Sequence, residues 1–315
     1  MREASRRARE YGIVFAFAAI VIVLSVTSHV FLTTRNVANI LNESAPVGIM
    51  AAAGTLVFIA GGFDLSVGAI YGIAGVVAGL LVPHYGPEVA SLAALAVGTG
   101  FGIVNGLLTT VGRINAFIAT LSTGVIITGI ALALTGGLLV TITNGTLLFV
   151  GGGRFFGLTI LTWVWIGFSG LCFLVLNFSV LGRYMFAAGG NAEAARIAGV
   201  NVALVRSIAF GLSGFAAGLA GVLAASQVAL GDPNSGSTIP LTVIEAIVIG
   251  GTSLFGGEGA IWRTVLGVVL LTLIVNGFDL LDINPVYQEV AQGLIVLAAV
   301  GADAWTRAGT RRSAW

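Results

Sequence analysis

Asp64, in the stretch FIAGGFDLSVGAIYG, is the only charged residue between Glu43 and Glu88. A lone carboxylate in so apolar a run either caps a helix or serves a passage through the membrane. Partners for catalysis are sparse. Two histidines, His29 and His84, and one cysteine, Cys172, do not make a metal-ligand cluster. Ser213, within GLSG, has the look of an intramembrane nucleophile, but both histidines fall near the outer ends of apolar segments. Ser213 lies in the inner half of its own, so no base is within reach, and it reads as a helix-packing serine. Asp64 and Glu245 are isolated acids, unlike the ladder of carboxylates common in proton-coupled carriers. All fourteen basic residues are arginine. Without lysine there is no Walker A phosphate site and no Schiff-base chemistry. The chain is therefore expected to be neither an enzyme nor a holder of metal or cofactor, and any driving nucleotide must bind another subunit.

The elements that position these residues are set by composition. Of 315 residues, 57% are hydrophobic and 9% charged, against about 25% charged in soluble domains. Mean hydropathy is +1.05. A spanning helix needs about 20 apolar residues, and segments of that kind recur along the whole chain. The expected fold class is all-α: a polytopic integral membrane protein forming a single transmembrane domain over 1–315. The net charge of +1 gives no field for nucleic acid, and a single cysteine permits no intrachain disulfide.

Apolar segments fall at about 11–32, 46–60, 65–83, 89–110, 116–137, 161–180, 204–230, 239–253, 262–277 and 286–302. They predict about ten spans, some short or broken, the second and eighth being the short ones. The basic start MREASRRARE precedes an apolar run without a small-residue cleavage site, which reads as an uncleaved first helix. With the N-terminus inside and ten crossings, twelve of the fourteen arginines fall on the cytoplasmic side, and only Arg35 and Arg154 fall outside. This positive-inside bias predicts that both termini are cytoplasmic. Glycines at 98, 102 and 106, and the pairs 68/72, 75/79 and 214/218, have the spacing that lets helices approach closely.

The longest cytoplasmic connection is LGRYMFAAGGNAEAARIAGVNVALVR, residues 181–206. Within it a short helix is expected at about 191–198. Asn191 caps its first turn, Glu193 and Arg196 suit its two dipole ends, and Gly199 stops it. Too short to span, it should lie along the membrane surface, as a plain connection or as a segment that docks into a partner's groove.

Four blocks together carry a resemblance: GGFDLSVGAI, INAFIATLSTG at 114–124, AAGGNAEAARIAGVNVALVRSIAFGLSGFAAGLAG and IVIGGTSLFGGEGA at 247–260. In this order the chain resembles the permease subunits of bacterial ABC importers for ribose-type sugars. The related branched-chain amino acid permeases share the third block. The resemblance implies a multi-pass protein of the bacterial plasma (inner) membrane. It also implies pairing with a second permease copy or a sister permease, with ABC ATPase subunits that bind the ATP, and with a periplasmic or lipid-anchored sugar-binding protein. The surface helix of such permeases sits in a cleft of the ATPase, a role that falls here to Gly190, Asn191, Glu193, Ala194, Ala195, Arg196 and Gly199.

For Asp64, two compatible readings follow. Gly61 and Gly62 can end one helix, and Asp64 can cap the next by accepting from the N–H of Ser66 or Val67. A half-helix in a permease also borders the cavity. A neutral sugar needs hydrogen-bonding groups and few charges along its path. Candidates are Gly61, Gly62, Asp64, Ser66, Asn105, Asn115, Thr120 and Thr128, with Phe117 able to stack on a sugar ring. Thr120, Gly124, Thr128 and Thr135 share a helical face. The competing reading is that these small polar residues knit helices together. Glu245 has no assigned partner. Other cargoes of the same architecture are a branched-chain amino acid, a nucleoside or a furanosyl signalling molecule. A self-sufficient secondary carrier stands outside it.

Overall fold

The computed structural model describes residues 2–284 and positions 286–288, 290, 293, 294 and 297, with side chains from Gly12 onward. The expected span at 286–302 therefore lies largely outside the described residues. The helices in chain order are α1 (Arg2–Thr27), α2 (Thr34–Ile59), α3 (Val67–Thr110), α4 (Ala116–Thr135), α5 (Gly145–Gly152), α6 (Ile160–Phe178), α7 (Val180–Gly190), α8 (Ala192–Ile197), α9 (Val202–Val228), α10 (Ile239–Ile249) and α11 (Ile261–Leu280). Two-residue strands β1 (Val140–Thr141) and β4 (Leu230–Gly231) pair antiparallel, as do β2 (Arg154–Phe155) and β3 (Leu158–Thr159). Among the described residues, six helices are long and apolar enough to cross a membrane. The chain is a polytopic helical membrane protein.

The 44-residue α3 folds back on itself. Pro83 and Pro87 flank a non-helical Gly86 at φ 81°, where only glycine sits without strain. Before it, Tyr71 packs on Gly221 and Gly75 on Ala225, so this half runs parallel to α9. After it, Gly98 packs on Gly214 and Gly106 on Ser207, so the second half runs antiparallel to α9. The glycine spacings read from the sequence are thus spent inside one chain, mostly on α9. Their purpose is backbone approach: a Cβ on Gly98 would stand 2.6 Å from the Gly214 carbonyl oxygen. In lipid, where apolar burial by itself does not drive association, such close contact supplies the packing energy.

The core is α2. Every residue from Gly48 to Ile59 is buried, as befits a helix apolar on all sides. The expectation of a short second span at 46–60 is corrected, because the helix begins at Thr34. Its first half reads as polar in sequence, but those groups are spent on neighbours. Asn36 and Asn276 exchange two hydrogen bonds of 2.9 Å. Ser44 donates to Thr272 at 2.9 Å, and Thr159 donates to Asn42 at 2.6 Å. Near its other end, Thr55 and Thr264 pair at 2.8 Å, so α2 and α11 are seamed antiparallel. The expected short eighth segment is present as α10, with 11 residues.

The connection expected at 181–206 holds more structure than one short helix. Ser179 accepts from the Gly182 N–H at 3.1 Å and starts α7, whose buried Gly182, Met185 and Ala188 recur every three residues. That periodicity is the amphipathic signature of a helix packed on one side; its neighbours are α2 and α9.

Candidate functional site

The residues around Asp64 form a chain of hydrogen bonds through the bundle interior. Asp64 Oδ1 accepts from the Ser66 N–H at 3.0 Å and from Ser66 Oγ at 2.6 Å. Asn105, on the second half of α3, donates to Ser66 Oγ at 2.7 Å and accepts from Thr123 of α4 at 2.7 Å. Thr120 accepts from the Leu65 N–H at 3.1 Å. Asp64, Ser66, Asn105, Thr120 and Thr123 are all buried. The expected capping of the next helix by Asp64 is corrected: Ser66 is the N-cap of α3 with no side-chain cap bond, and Asp64 closes a turn just before it by accepting from the Ser66 N–H. Asp64 Oδ2 and the Ser213 hydroxyl of α9 are both buried and make no hydrogen bond among the described residues. Thr123 is a member of this group that sequence reasoning missed, one helical turn after Thr120, while Ser213 was read from the sequence only as a helix-packing serine.

The other expected path residues are placed differently. Asn115 caps α4 by accepting from the Phe117 N–H at 3.0 Å, and both residues are exposed. Phe117 is 53% exposed. Thr128 is half-buried two turns along from Thr120. A cavity of about 450 Å³ lies instead beside the β2–β3 hairpin, lined by Phe149, Arg154, Phe155, Ile160, Trp163 and Val164. None of the expected path residues lines it. Glu245 on α10 is half-buried and makes no hydrogen bond or ion pair among the described residues.

The end of α2 is closed by donors from three parts of the chain. Gly61, at φ 81°, sends its N–H to the Phe58 carbonyl, and Gly62 sends its N–H to Val57, both at 2.9 Å. That is a Schellman motif, and it leaves two terminal carbonyls open. Ile59 O accepts from the Gly257 N–H in the α10–α11 loop at 2.9 Å, and Ala60 O accepts from Arg206 Nε of α9 at 2.9 Å. Arg206 Nη2 also donates to Ala188 O near the end of α7 at 3.3 Å. One guanidinium thus ties two helix carboxyl ends, where the dipole favours a cation. The approach is glycine-lined: a Cβ on Gly257 would meet Gly190 Cα at 2.7 Å, and one on Gly256 would meet Gly61 Cα at 3.0 Å.

The short helix forms beyond α7. Asn191 accepts from the Ala194 N–H at 3.0 Å, Glu193 pairs with Arg196, and Gly199 takes φ 87°. Glu193, Ala194 and Arg196 are exposed, whereas Ala195 is 5% exposed and anchors α8 on the bundle. Gly190, on the last turn of α7, abuts Gly257.

A family profile described as "Branched-chain amino acid transport system / permease component" matches residues 36–300. The chain belongs to this permease family. Among curated proteins, the permease is 36% identical over 297 residues to "Ribose import permease protein RbsC" of Escherichia coli strain K12, covering 91% of each chain. It is 33% identical over 296 residues to the protein of the same name from Haemophilus influenzae, covering 91% of this chain and 92% of that one. It is also 36% identical over 298 residues to "L-arabinose ABC transporter permease protein AraH" of Azospirillum brasilense, covering 94% and 88% respectively. No solved structure matches.

Proposed function

We propose that this permease is the membrane-spanning subunit of a bacterial ABC importer for a ribose-type sugar, working as a pair by alternating access in the plasma (inner) membrane. The observation that carries the reading is similarity over about nine tenths of the chain to relatives named for ribose import. The buried chain Asp64–Ser66–Asn105–Thr123 supports it, since it presents neutral hydrogen-bonding groups at the helix break and a single acid. In this reading that group lies against the sugar path and is uncovered when the bundle opens. The chain crosses the membrane about ten times with both termini inside, in keeping with the arginine bias. ATP is bound by separate ATPase subunits, which grip α8 through its exposed Glu193 and Arg196. A sugar-binding protein delivers the cargo from outside.

A second cargo class has its own support, because the family profile is described for branched-chain amino acids. Reconstituting the permease in vesicles, with the ATPase and binding protein encoded beside it, separates the two. Accumulation of labelled ribose driven by ATP is expected. Accumulation of labelled leucine in place of ribose would move the cargo to the second class. Concentration of either solute by the permease alone would overturn the ABC reading.

A further inference from the structure

We propose that Arg206 is the positioning residue that makes the ATPase-facing segment and the Asp64 break move as one body. The inference rests on the reading under Proposed function and adds to it the part that carries the force. Arg206 Nε bonds Ala60 O, and four residues later the chain reaches Asp64. Arg206 Nη2 bonds Ala188 O, and three residues later the chain reaches Asn191, the cap of α8. Between these bonds the contacts are backbone on backbone. Gly189 abuts Ile59 O, Gly256 approaches Gly61, and Gly257 both approaches Gly190 and donates to Ile59. With no side chains between them, there is nothing soft at the joint to absorb a displacement.

The chemistry requires arginine. The planar guanidinium offers donors in a fixed fork, so Nε and Nη2 reach two carbonyls of different helices at once. Among the described residues its hydrogen bonds are to carbonyls alone. Its charge is therefore matched by two helix carboxyl ends rather than by a carboxylate that could be exchanged for another. Helix α8 packs on both α7 and α9, and Arg206, near the start of α9, joins the end of α7 to the end of α2 and so hands a shift of α8 to the break at Gly61–Ser66. Lysine has a point charge and cannot hold both carbonyls in this geometry, so R206K keeps charge while loosening one of the two helices.

The test is the ratio of labelled ribose transported to ATP hydrolysed in the reconstituted complex. Wild type, R206Q, R206K and N36A are compared, each checked for membrane insertion and for ATPase co-purification. N36A weakens the α2–α11 seam at a distance from the joint and controls for stability loss alone. Expected is a ratio about tenfold lower in R206Q and partly lowered in R206K, with the ATPase still bound. N36A should stay within about twofold of wild type. A ratio in either Arg206 variant equal to wild type, or an equal loss in N36A, overturns the proposal. Should R206Q fail to insert, R206K decides, and an R206K that also fails to insert overturns the proposal by making the residue a fold determinant. A wild-type complex that binds no ATPase, or moves no solute, sinks the functional reading itself and this inference with it.

Discussion

Ser66 and Asn105 stand 39 positions apart in the chain, yet the Asn105 side-chain amide donates to Ser66 Oγ at 2.7 Å. The bond closes the hairpin of α3 on itself, because Ser66 precedes its first half and Asn105 lies near the end of its second. Through Thr123 it also ties in α4. The helix break at Asp64 is thereby held by both of its neighbours.

Replacing Asn105 by alanine removes both bonds and leaves the Ser66 and Thr123 hydroxyls with fewer buried partners. A loss of about 1–3 kcal/mol is expected. Thermal unfolding of the purified permease in detergent measures it. An unchanged midpoint would mean that the polar chain contributes little to holding the break.

Asp64→Asn and Asp64→Ala should separate. An amide oxygen can accept both Ser66 bonds. D64N should therefore remain within about 1 kcal/mol of wild type. D64A strands the Ser66 donors and should lose about 1–3 kcal/mol. If D64N unfolds as readily as D64A, the negative charge itself is the stabilising feature.

The glycine contacts give a paired experiment on α3. A Cβ at Gly98 would be 2.6 Å from Gly214 O, whereas a Cβ at Gly100 meets nothing within 4 Å. Gly98→Ala should destabilise by about 1–3 kcal/mol through forced separation of α3 and α9. Gly100→Ala should be neutral or stabilise by up to about 1 kcal/mol from helix propensity. Equal midpoints for the two variants would refute the close-packing account.

Asn36 and Asn276 form a reciprocal pair suited to a double-mutant cycle. Chemical or thermal unfolding of N36A, N276A and the double variant should give a coupling energy of about 0.6–1.7 kcal/mol. Additive single effects would show that the pair adds nothing beyond its separate contacts.

Glu193→Arg reverses an exposed charge and breaks the pair with Arg196. Stability should change by less than about 0.5 kcal/mol, as for ordinary surface positions. Association with the ATPase should weaken, which co-purification from membranes reads directly. Undiminished recovery of ATPase would remove α8 as the docking helix.

Much of the architecture was legible because membrane helices are written in long apolar runs. The glycine spacings, the division between the segments at 65–83 and 89–110, the short α10 and the capped helix after Asn191 all follow from local rules of apolar length, backbone freedom and capping. The first half of α2 was not legible. Its Asn36, Asn42 and Ser44 look polar in a one-dimensional reading, and only their partners on α11 and at β3 make them suitable for burial. Helix α7 escaped for a related reason, since its buried face carries one large apolar residue, Met185, between the small Gly182 and Ala188.

The sequence by itself determined that this chain is a helical membrane protein and that Asp64 lies at a helix break; the permease family came from the resemblance of its motif blocks. That information is local or compositional, so it survives without coordinates. What only the tertiary structure decided is which distant groups meet. Gly61, Gly189, Gly257 and Arg206 come from separate helices and loops, yet they close one helix end together. A buried carbonyl must find a donor, but nothing in its own neighbourhood of sequence says which one will arrive.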